Sequence, residues 1–163
     1  MRFGKALVAL VVFMTTAWAG AQKMSVADWQ KMYDQAETAF DSKDANAIFK
    51  YMTPDFTMTM QGQTMSAAQA KSEMKIWFGM MKTLHCSMKV VKAPGGASSA
   101  TVVDNFKNTG DMVDPKTHKT GKLVDTGTET LSWVKLKGKW MIKSIVTNKE
   151  KMTLNGKPFS PGM

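Results

Sequence analysis

Arginine is almost missing from this chain. Arg2 is the only one among 22 basic residues, which stand against 13 acidic ones. Guanidinium forks are the usual means of gripping phosphates and reading guanine edges, so a specific nucleic-acid partner is not expected. Cysteine is equally scarce. Cys86 stands alone, which excludes a disulfide within one chain. A single thiol is buried as a small apolar residue, pairs with another chain, or stays reactive. No apolar run reaches the ~20 residues that a helix needs to span a bilayer comfortably. Reactive motifs are missing as well: there is no Cys-x-x-Cys, His-Glu-x-x-His, P-loop or Gly-x-Ser-x-Gly. Gly95-Gly96 follows Pro94 in a turn without a helix behind it, so it is no phosphate cradle.

The 163 residues suffice for one domain with a single core. The first of them read as something else. Met1 to Lys5 is short and basic, Ala6 to Thr16 is nearly continuously apolar, and Ala17-Trp-Ala19 has the small-x-small pattern of a signal-peptidase site. Residues 1–19 are therefore expected to be a signal peptide, with a second cleavage position after residue 21. Export to a periplasm or to the medium is the consequence, with no stable membrane insertion after cleavage. Loss of Arg2 and Lys5 lowers the net charge from +9 to +7. The remaining dispersed lysines read as a solvated surface.

The main domain is expected over residues 24–147, with a C-terminal extension over 148–163. Ser25-Val-Ala-Asp28 has the form of a capping box. Trp29, Met32, Tyr33, Ala36, Ala39 and Phe40 then recur at helical spacing, giving a first helix from Val26 to Phe40. A short second helix runs from Ala45 to Met52 and closes before Pro54. Phe56, Met58 and Met60 share one face of a strand, and Gln61-Gly62-Gln63 turns the chain. Ser66 caps a third helix with Ala70, Met74, Trp77 and Phe78 on its apolar side. From Leu84 the period changes to two, with Cys86 on one face and His85 on the other. A strand from Ser99 to Asn108 comes next, then an exposed loop from Gly110 to Lys122. The hairpin Gly127 to Thr147 turns at Lys137-Gly138-Lys139. Glu129, Leu131, Trp133 and Lys135 share one of its faces. Its alternation is mixed, as suits a curved sheet that packs on one side and partly lines a cavity. The expected fold is α+β, a curved mixed but mostly antiparallel sheet wrapped by three N-terminal helices into a cone with a pocket.

In this order of elements the chain resembles the nuclear-transport-factor-2-like, or SnoaL-like, superfamily. The resemblance covers Val26 to Val146. It rests on the first helix ending in Ala39-Phe40, the Asp44-Ala45 start of the second, Phe49-Lys-Tyr-Met-Thr-Pro-Asp55-Phe56 leading into the first strand, and the Trp133 to Lys143 hairpin. It implies a pocket at the open end of the cone, and often a homodimer formed through the exposed sheet face. Members include isomerases, dehydratases and non-catalytic binding domains, so the resemblance leaves the chemistry open. Isomerases of this superfamily carry a carboxylate base at the end of the first strand. Met60 stands there in this chain.

The remaining catalytic candidates are His85, Glu129 and Asp104. His85 is a candidate base, while Glu129 shares a face with Leu131 and Trp133. Adjacent strand positions point apart, which argues against a Cys86–His85 pair. Tyr33, Met58, Met60, Trp77, Leu131 and Trp133 are candidate ligand-lining residues. The 16 methionines are the adaptable fillers of irregular cores and apolar pockets. Their thioethers, with Cys86 and His85, also form a soft donor set of the kind Cu(I) prefers, but the spacings are ordinary strand pairs, and no metal or cofactor is assigned. The expectation is an exported domain of non-catalytic type that binds a small apolar molecule or mediates association. The alternative is an isomerase, dehydratase or cyclase-like enzyme using a pocket histidine or carboxylate.

Overall fold

The computed structural model describes residues 23–115 and 117–160. The expected signal peptide and both cleavage positions lie outside them. The elements are α1 (Val26–Asp41), α2 (Ala45–Phe49), β1 (Met52–Met60), β2 (Gln63–Ser66), α3 (Ala67–Met80), β3 (Met81–Lys92), β4 (Ser99–Val113), β5 (Thr120–Leu136), β6 (Lys139–Leu154) and β7 (Lys157–Pro158). They form one curved sheet in the order β2-β1-β6-β5-β4-β3, with β7 beside the end of β6. Among the described strands only β1 and β6 run parallel.

Both long helices begin on capping boxes. Ser25 accepts the Asp28 N–H while Asp28 accepts that of Ser25, and Ser66 and Gln69 do the same for α3. Each box satisfies two donors that a helix start leaves open. Trp29 of α1 then meets Trp133 and Trp140, both at 5.1 Å between ring centroids. Phe40 meets Phe78 of α3 edge-on at 6.0 Å. These contacts place the helices over the concave face.

Four expectations change. α2 ends at Phe49, and Met52 opens β1 instead. Pro54 lies where the β1–β6 pairing breaks between Met52 and Thr57, a place where a missing N–H costs nothing. A four-residue strand, β2, pairs with β1 where only a turn was expected. The loop over Gly110 to Lys122 shrinks to the stretch between Val113 and Thr120, since β4 and β5 stay paired out to Val113 and Thr120. Finally, β6 runs unbroken past residue 147 to Leu154, so most of the supposed extension belongs to the sheet.

The mixed alternation of the hairpin has a definite cause. Pairing shifts between Thr128 and Glu129 and again between Ser132 and Trp133, leaving Asn148 and Lys143 of β6 without opposite numbers. Each bulge bends the strand and exchanges the faces of the residues beyond it. Ile142, Ile145, Thr147, Glu150 and Met152 thereby all stand opposite inward residues of β5, although their numbers change from even to odd and back.

β3 is a sheet edge, and α1 covers it. Gln30, Glu37 and Asp41 accept the N–H groups of Val90, Met88 and Cys86, and the Gln30 amide donates to the Met88 carbonyl. Side chains of one helix thus take the place of the missing strand.

Candidate functional site

The concave face of the sheet and the helices above it bound a cavity of about 1880 Å³, wide mouth included. Typical small-molecule sites hold ~300–1,000 Å³, so there is room for a ligand and its approach. Along β4 the inward positions are Ala100, Val102, Asp104, Phe106 and Asn108. Their partners on β5 are Trp133, Leu131, Glu129, Gly127 and Asp125. The floor is therefore apolar at the tryptophan end, then carries an Asp104–Glu129 rung, a Phe106–Gly127 rung and an Asn108–Asp125 rung.

The first polar rung is the more heavily perturbed. Asp104 is 1% exposed, and neither of its carboxyl oxygens has a hydrogen-bond partner. The Tyr33 hydroxyl stands beside it and the Trp133 indole N–H beside that hydroxyl, each near enough for its polarity to matter but short of hydrogen-bond geometry, so they too are unpartnered. Burial raises the Asp104 carboxyl to about 7, with Tyr33 partly opposing the rise. Glu129 is raised to about 8, first by burial and then by the charge of Asp104, while the Thr147 hydroxyl, which donates to it at 3.1 Å, pulls the other way. Two carboxyls facing each other across a strand pair, one of them 1% exposed, do not both ionise near neutrality. The Tyr33 phenol is pushed far above its ordinary value, chiefly by burial and next by Asp104. The cluster offers a neutral acid, a phenol and an indole N–H as donors, and carboxyl oxygens as acceptors.

The structure brings together most of the residues singled out from the sequence. Tyr33, Met58, Met60, Trp77, Asp104, Glu129, Leu131 and Trp133 all line the cavity. His85 does not. Period-two alternation turns Cys86 inward, 2% exposed, and His85 outward, where its side chain is 72% exposed and its Nδ1 lies 3.0 Å from Asp41 Oδ2. It meets neither Glu129 nor Asp104. The Cys86 thiol is pushed well above its ordinary value, mainly by burial, which suppresses the thiolate needed for reactivity. Asn108 and Asp125 escaped the sequence reading. Their signal was parity: they alternate with Phe106 and Leu123 on the same faces as Val102 and Leu131.

No family model matches the sequence, and no curated protein matches it significantly. Solved structures do match. The hexachlorocyclohexane dehydrochlorinase LinA type 2 aligns with a TM-score of 0.63 at 13% identity, over 84% of this chain and 94% of its own. A candidate scytalone dehydratase from Novosphingobium aromaticivorans aligns with a TM-score of 0.63 at 12% identity, over 75% and 83%. A candidate calcium/calmodulin-dependent protein kinase II association domain from Xanthomonas campestris aligns with a TM-score of 0.52 at 15% identity, over 79% and 91%. The fold is thus nuclear-transport-factor-2-like, or SnoaL-like. Neighbours at these identities include both enzymes and an association domain, so they carry the architecture and not the activity.

Proposed function

We propose that this protein binds a small, largely apolar molecule inside the cone and orients it by a polar head group at the Tyr33–Asp104–Trp133 cluster. The observation that carries this reading is the set of unpartnered polar atoms at the buried end of a methionine- and tryptophan-lined cavity. Buried polar groups are nearly always hydrogen-bonded, and a ligand head group would satisfy these. Methionine side chains adapt to apolar ligands of irregular shape. Titration with Nile red, an uncharged probe whose emission depends on polarity, tests the reading. Saturable one-to-one binding with a blue shift is expected. Met58→Trp should weaken it about tenfold by filling the cavity, with thermal melting as the control for folding. Absence of saturable binding to the wild-type protein would refute it.

A lyase is the second reading, favoured by one observation. The Asp104–Glu129 pair holds carboxyls close to neutrality, where one can accept a proton and the other donate one. LinA and the scytalone dehydratase candidate lend it analogy only. Turnover lost in Asp104→Asn, with ligand binding retained, would favour this reading over binding alone.

A further inference from the structure

We propose that the Asn108–Asp125 rung is a second polar subsite of the cavity, built to receive the ammonium group of an organic amine. The proposal rests on the reading of the cone as a small-molecule pocket and specifies the ligand class. Asn108 and Asp125 are cross-strand partners on the concave face and both line the cavity. They are 8% and 4% exposed. The Asn108 amide Nδ2 donates to Asp125 Oδ2 at 3.0 Å. The opposite amide orientation would set two oxygens against each other, so chemistry fixes this one. Asn108 Oδ1 and Asp125 Oδ1 are then left buried with no partner. Both are acceptors, so the missing ligand atoms must be donors.

Charge narrows the choice. Burial raises the Asp125 carboxyl to about 6, and the nearby charge of Glu150 adds to the rise. No basic side chain figures among the groups acting on it. Glu150 stands opposite Gly127 on the neighbouring strand and is held by the Gln61 amide. A cation is the natural complement to this acceptor-rich, acidic patch. Among the described residues no three histidine, cysteine, aspartate or glutamate side chains are grouped to hold a metal ion. An ammonium carries three donors and no acceptor, whereas a hydroxyl carries one donor. Phe106 on one side and Met152 across the strand suit an apolar body attached to that head group. Four residues along β4 separate this rung from Asp104, roughly 13 Å of strand, so an amine seated here extends its apolar body over Phe106 toward the first cluster.

Isothermal titration of the whole protein at pH 7.5 with three probes of one chain length tests the proposal: n-octylammonium, n-octanol and octanoate. Octylammonium should bind about tenfold more tightly than octanol, as charge-assisted hydrogen bonds allow, and octanoate more weakly than octanol. Asp125→Asn keeps the shape and removes the charge; Asn108→Ser removes the amide acceptor. Each should bring octylammonium to within about twofold of octanol, the ratio of the two affinities being the readout. Equal affinity for amine and alcohol in the wild type would overturn the subsite and leave the pocket standing, as would a preference for amine that survives both substitutions. Binding of none of the three probes would overturn both.

Discussion

Gly127 has no side chain because Phe106 occupies the place of one. A Cβ there would lie 2.4 Å from Phe106 Cζ and 2.3 Å from the Lys149 carbonyl oxygen. The ring covers the glycine and forms the middle of the cavity floor. Gly127→Ala should therefore destabilise the protein by about 1–3 kcal/mol, the cost of overpacking, as a lower urea midpoint with an unchanged m-value. An unchanged midpoint would show that Phe106 and the Lys149 carbonyl both give way freely. Asp104 and Glu129 were legible as candidates because each stands at an inward position beside large apolar residues. Asn108 and Asp125 stand at the same parity, but Asn108 lies between Lys107 and Thr109, and Asp125 falls between the expected loop and the expected hairpin. Local composition made a solvated strand the natural reading. Only the pairing of β4 with β5 reveals that they face inward together. For His85 the sequence supplied the alternation but not its sign, which depends on the helix that packs against Cys86.

At the scale of elements, the clasp between α1 and β3 is the contact least visible in sequence. Gln30, Glu37 and Asp41 look like an ordinary polar stripe on a helix, yet each takes a backbone donor of the edge strand. Glu37→Ala leaves the Met88 N–H without its acceptor at a half-buried position. A loss of about 1–3 kcal/mol is expected. Hydrogen exchange should quicken at the Met88 amide more than at amides of β5. A uniform change across the sheet would mean that Glu37 acts on global stability and not on the edge. The two-residue turns were easier to see: Gln61-Gly62 and Lys137-Gly138 were plain in the sequence, and Asn155-Gly156 is a third of the same kind. Gln61-Gly62, Lys137-Gly138 and Asn155-Gly156 all take positive φ at both residues, the conformation that matches the twist of the strands they join. The extra length of β4 and β5 was hidden because Gly110, Asp111, Gly121 and Lys122 read as loop residues. The core side chains there are only Met112 and Leu123, 0% and 1% exposed.

The whole molecule sets a lysine-rich exterior around an acidic interior, and its stability should depend on pH accordingly. Asp104, Asp125 and Glu129 hold their protons to about 7, 6 and 8 in the folded state, against ~4 in an unfolded chain. Between those values the native state binds more protons, so the free energy of unfolding falls as pH rises. The contribution is complete below pH ~4 and is lost as pH passes through the folded values. One whole proton corresponds to about 1.4 kcal/mol per pH unit, and mutual repulsion spreads the three titrations. Asp28, Asp55 and Asp111, outside the cavity floor, have lowered values and act in the opposite sense, but only in acid. Melting temperature should fall from pH 5.5 to 8.5, and Glu129→Gln should flatten that fall. A flat or rising wild-type profile would contradict the raised values of these three acids.

Along its pairing with β5, β6 carries two residues more than the stretch it faces. The bend of the floor is therefore written as surplus chain, much as a bimetal strip curves because one layer is longer. Removing Asn148 or Lys143 would restore a one-to-one match without turning any inward side chain outward, since each is the residue left without a counterpart. Curvature and lining are thus independent variables in this scaffold. Single-residue insertions and deletions at two positions can deepen or flatten the pocket while its chemistry stays the same.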